Sequence, residues 1–78
     1  MKVDAINIDP GILGGTPVFR GTRVPIETLF DHLESGITIE GFLEDFPSVN
    51  RDQITQVLEL VGKLFSTEKI KQLYEIAT

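Results

Sequence analysis

From Ile54 onward, apolar residues recur as Ile54, Val57, Leu58, Val61, Leu64 and Phe65, at i, i+3, i+4, i+7, i+10 and i+11. This is one face of an α-helix, and it has to lie against something. Asn50 followed by Gln53 fits a capping box, in which each side chain satisfies an otherwise orphaned backbone donor of the other. The stripe therefore predicts a third helix running from Asn50 to about residue 65, with Arg51, Asp52, Thr55, Gln56, Glu59 and Lys63 on its polar side.

Two shorter helices precede it. Pro25 suits a first helical position, Ile26, Leu29, Phe30 and Leu33 follow at helical spacing, and Gly36 is placed to stop the helix, giving a first helix over 25–35. Thr38 reads as the N-cap of a second, with Ile37 and Phe42 as a hydrophobic staple, Leu43 and Phe46 continuing the face, and Pro47 ending it. A short helix, a tight turn and a longer helix with a polar outer side is the helix-turn-helix pattern.

The remaining residues are of two kinds. Residues 1–24 read as a β/turn arm: Ile6-Asn7-Ile8 alternates, Asp9-Pro10-Gly11 and Gly14-Gly15-Thr16-Pro17 supply turns around Ile12-Leu13, and Pro17–Arg20 and Thr22–Val24 are extended about Gly21. Residues 66–78 read as a last helix capped by Ser66 or Thr67, with Ile70, Leu73, Tyr74 and Ala77 along one side that needs a partner to be ordered. No repeat, low-complexity stretch or linker divides the chain. The expected fold is a single domain over 1–78, mostly α with a small N-terminal β element.

Its core must be thin, because a chain of 78 residues buries only about 60–65 % of its unfolded surface. There is no cysteine and no metal-ligand spacing. Oligomerisation is then the remaining common support, and a homodimer is expected. The N-terminus lacks a basic start and an apolar stretch, and no run nears the roughly 18 apolar residues of a membrane span, so a cytoplasmic location without membrane contact is the expectation. Seven basic against twelve acidic residues give a net charge of -5. That disfavours non-specific phosphate binding and suits a chain that covers a basic protein, while leaving room for a local basic patch.

Candidate contacts cluster in two places. Asn50, Arg51, Gln53, Thr55 and Gln56 are residue types that bond base edges or phosphates, and they stand near the start of the third helix; the alternative is a solvated helix face. Arg20, Thr22 and Arg23 form a second group about the Gly21 turn. The two arginines can meet phosphates or pair with the chain's carboxylates. Catalysis has little to build on. His32 is the sole histidine, Glu44 and Asp45 point about 100° apart on a helix, and Gly11, Gly14 and Gly15 lack the Lys-Ser or Lys-Thr of a phosphate loop. A non-enzyme without cofactor or metal is expected.

The run Ile8-Asp9-Pro10 … Gly14-Gly15-Thr16-Pro17-Val18-Phe19-Arg20-Gly21-Thr22-Arg23-Val24-Pro25 closely resembles the family catalogued as domain of unknown function 433. Gly36-Ile37-Thr38-Ile39-Glu40 and Asp45-Phe46-Pro47-Ser48-Val49 … Gln53-Ile54 resemble its second signature, so the likeness covers about residues 6–62. The resemblance implies a homeodomain-like or winged helix-turn-helix fold. It also implies a VapB-like antitoxin that covers the acidic, metal-binding site of a PIN-like ribonuclease toxin and represses its own promoter DNA. Within the family's Gly-Thr-Arg motif the arginine is Arg23, and position 20 is commonly basic. On this reading the second and third helices face DNA, and Ile70, Leu73 and Tyr74 meet the toxin. The alternative is a protein-interaction or dimerisation module with no DNA binding.

Overall fold

The computed structural model describes residues 4–66 together with Glu68, Lys71, Gln72, Tyr74 and Glu75. Strand β1 (Ile6–Asn7) pairs antiparallel with β2 (Val18–Phe19), Ile6 opposite Phe19 and Asn7 opposite Val18. Between them lies a short 3-10 turn at Leu13–Gly15. Three helices follow: α1 (Ile26–Glu34), α2 (Ile39–Asp45) and α3 (Arg51–Leu64). The architecture is mostly α with a small N-terminal β element, a helix-turn-helix arrangement.

Local chemistry sets each boundary. Pro25 has φ -63 and ψ 141, so it is the residue before the helix and not its first position, and α1 starts one residue later than the proline suggests. At the other end Ile37 N–H donates to the His32 carbonyl and Gly36 N–H to that of Leu33. This is a Schellman closure, and it needs a left-handed residue, which Gly36 supplies at φ 82. Thr38 caps α2 by accepting from Gly41 N–H at 3.1 Å. Ile37 reaches over the same turn: a Cβ on Gly41 would stand 3.0 Å from Ile37 Cγ2. The capping box of α3 is complete, with Gln53 N–H on Asn50 Oδ1 at 2.9 Å and Asn50 N–H on Gln53 Oε1 at 3.0 Å.

The core is made by both strands and the three helices. Ala5, Val18, Phe19, Leu29, Phe42, Val49, Ile54 and Val57 are buried, and Leu33, Phe46, Leu58 and Val61 pack half-buried around them. The N-terminal segment is thus part of the body and not an arm laid on it. An aromatic cluster holds the centre: Phe42 lies 6.0 Å from Phe19 and 4.9 Å from Phe46, ring centre to ring centre, spacings at which tilted rings attract beyond their buried area. His32 joins it edge-on to Phe42 at 5.2 Å. The apolar stripe of α3 is buried only over its first part. Leu64 and Phe65, expected in the core, are exposed, because nothing among the described residues covers the last turn of the helix.

Candidate functional site

The turn after β2 and the start of α3 meet through Gln53, whose Nε2 donates to the Arg20 carbonyl at 2.9 Å. With Oε1 already on Asn50 N–H, this side chain has its donor and its acceptor engaged inside the fold. The Asn50 carboxamide oxygen caps α3. These two residues are expected to read bases, yet Asn50 Oδ1 and the Gln53 carboxamide are already bonded within the chain, since capping needs no partner molecule. Asn50→Ala is expected to cost about 1 kcal/mol, the usual worth of such a cap, read as a shift in urea midpoint with an unchanged slope.

Arg20 turns to the backbone at β1. Its Nε donates to the Asp4 carbonyl and its Nη2 to the Ile6 carbonyl, each at 2.8 Å, so two of its donors are held by main-chain carbonyls. Thr22 is likewise internal: Oγ1 donates to the Phe19 carbonyl at 2.7 Å and accepts from Val24 N–H at 3.0 Å, which closes the turn in which Gly21 has φ 81. Arg23 differs. It is exposed and makes no hydrogen bond or ion pair among the described residues.

On α3 itself, Arg51 Nη2 reaches Glu40 Oε1 at 2.7 Å, joining the helix starts of α2 and α3. The hydrogen bond from Arg51, then one from Glu40's own backbone, then the guanidinium charge hold that carboxyl below its ordinary value. Both groups are well exposed, so the pair is a weak one that a stronger ligand can compete for. Thr55 Oγ1 bonds back to the Arg51 carbonyl at 3.1 Å, and Gln56 Nε2 stands 3.4 Å from Asp52 Oδ2. Arg51 and Thr55 face solvent and Gln56 is half-buried.

His32 is half-buried: Nδ1 lies 2.9 Å from the Thr28 carbonyl and Nε2 3.5 Å from Asp45 Oδ2. Among the described residues no group of three or more His, Cys, Asp or Glu is placed to hold a metal ion, and no helix is long and apolar enough to cross a membrane. Of the expected protein contacts, Tyr74 is helical and 70 % exposed, while Ile70 and Leu73 lie outside the described residues. Leu64 and Phe65 add to the exposed apolar surface at this end. Sequence reading placed them in the core, and the one available signal was Gly62, which interrupts the side chains along the helix just before them.

A family model, Protein of unknown function (DUF433), matches residues 6–60, most of the chain. The chain belongs to the DUF433 family. A DUF433 member protein from Anabaena variabilis ATCC 29413, known from its crystal structure, superposes with a TM-score of 0.67 at 27 % identity, over 96 % of this chain and 70 % of that one. An uncharacterized protein, y4eO, from Sinorhizobium fredii (strain NBRC 101917 / NGR234) is 41 % identical over 51 residues, 65 % of this chain and 23 % of that relative. The matched DUF433 segment thus spans less than a quarter of that curated relative.

Proposed function

We propose that this DUF433 chain works by docking to another protein, as the antitoxin half of a type II toxin–antitoxin pair that neutralises a PIN-like ribonuclease. The observation that carries the reading is a division of labour along α3. Asn50 Oδ1 and the Gln53 carboxamide at its start are bonded within the chain, whereas Leu64 and Phe65 at the far end, and Tyr74 further along the chain, are large and exposed. Exposed apolar groups of this size on a small acidic chain mark a surface that another protein covers. Every described residue after Phe65 is exposed, which adds to the case for a covering surface. The chain is read as a homodimer and as a non-enzyme.

A repressor role at its own promoter is the second reading, favoured by Arg23, which is exposed and makes no side-chain hydrogen bond or ion pair among the described residues, and by Arg51 and Thr55, which are exposed on α3. Co-expression with the adjacent open reading frame tests the first reading. Growth rescue together with a co-purifying complex is expected. A toxic neighbour that this chain neither binds nor silences would remove the antitoxin assignment. Titration of upstream DNA by that complex at several salt concentrations tests the second, since phosphate contacts weaken binding linearly in log salt. Affinity that does not change with salt, or no binding, leaves the protein-docking module alone.

A further inference from the structure

The pairing of β1 with β2 leaves one edge of β1 without a strand among the described residues. Arg20 N–H donates to the Ala5 carbonyl at 2.8 Å and Phe19 N–H points the other way, to the Val24 carbonyl. In an antiparallel ladder bonded and non-bonded pairs alternate. The Ala5 carbonyl therefore faces β2, Ile6 with Phe19 is a non-bonded pair, and by the same alternation the carbonyls of Asp4 and Ile6 point outward along the open edge. Those are the two carbonyls that the Arg20 guanidinium holds at 2.8 Å.

We infer that Arg20 guards this edge against strand pairing with a further copy of the chain, so that the homodimer read above forms through another surface and association beyond it is what Arg20 limits. An incoming strand has to donate its own N–H groups to the Asp4 and Ile6 carbonyls, and the guanidinium already does so from within the same chain. The arginine is anchored at its own backbone too, by the Ala5 carbonyl on one side and Gln53 Nε2 on the other, so it is presented at a fixed place beside the edge. The need for a guard is local: Ile8, one residue past the end of β1, is 64 % exposed, and an apolar, unpaired edge is a template for pairing with another chain. A charged side chain laid over the edge is one of the ordinary ways to blunt it.

The test is the self-association constant of the whole chain by sedimentation equilibrium, with folding followed by circular dichroism. Arg20→Met keeps the aliphatic stem and removes both donors; Arg20→Gln keeps one short donor that cannot span both carbonyls. The expected result is association raised about tenfold over wild type by Arg20→Met, a change of about 1.4 kcal/mol, with Arg20→Gln between. Adding Ile8→Lys to either variant is expected to return association to the wild-type level. Folded variants with unchanged association would reduce Arg20 to an internal clamp and overturn the inference. So would added association that Ile8→Lys fails to reverse. If Arg20→Met does not fold, Arg20→Gln with and without Ile8→Lys decides the matter in the same way.

Discussion

Phe42→Ala is expected to remove about 3–5 kcal/mol of stability, the usual loss for a large aromatic cut back in a core. The whole margin of a chain this size is about 4–12 kcal/mol at typical values per residue. Phe42 is fully buried and joins three elements: it belongs to α2, lies 6.0 Å from Phe19 of β2, and takes the edge of His32 from α1 at 5.2 Å. A cavity there cannot be closed by one neighbour moving, because each neighbour is held by a different element. Urea unfolding read by far-ultraviolet circular dichroism measures it. Phe42→Leu, which keeps more of the volume, is expected to lose roughly 1–2 kcal/mol. A loss under about 1 kcal/mol for Phe42→Ala would show that the aromatic cluster is not the centre of the fold.

What the sequence disclosed and what it withheld follow from the range of the interactions. Helix ends are local events, so Thr38, the Asn50–Gln53 box and Gly36 could be read within a few residues of the boundary each one makes. Pro25 was legible to within one residue, since the same φ near -63 serves the cap and the first helical position. The burial of Ala5 and Phe19 was not legible. It depends on a two-residue strand pairing and on contacts with α2, far along the chain, and neither leaves a period in so short a segment. The stripe of α3 shows the opposite failure. Periodicity states which side of a helix is apolar, but not how far the partner surface extends, so Leu64 and Phe65 match the stripe and still lie beyond the body.

The candidate site divides along the same line. Asn and Gln at a helix start serve equally well as caps and as base-reading groups, and composition cannot rank the two uses. Geometry ranks them: Asn50 and Gln53 are bonded within the chain, and Gln53 also reaches back to Arg20, a link between the Gly21 turn and α3 that no spacing rule announces. An arginine in sequence suggests phosphates and carboxylates as partners, whereas a strand edge also supplies carbonyls that accept from a guanidinium. Arg23 is the arginine of this pair left available to a ligand.

Phe65→Asp is expected to separate function from stability. Phe65 caps the end of α3 through its backbone, its N–H donating to the Val61 carbonyl at 3.2 Å, and its side chain is 65 % exposed. The substitution should therefore change stability by no more than about 0.5 kcal/mol, as surface substitutions do. A buried aromatic anchor at an interface is worth about 2 kcal/mol or more, roughly 30-fold in affinity, and a carboxylate in its place must also be desolvated without a partner. If the antitoxin reading holds, the complex with the neighbouring gene's product is thus expected to weaken at least that far, measured by calorimetric titration, while the free chain melts as before. Arg23→Glu in the same assay should leave protein affinity intact and act only on DNA. Full affinity in Phe65→Asp would move the docking surface away from the end of α3, and a lower melting point would return Phe65 to the fold, where its helical spacing first placed it.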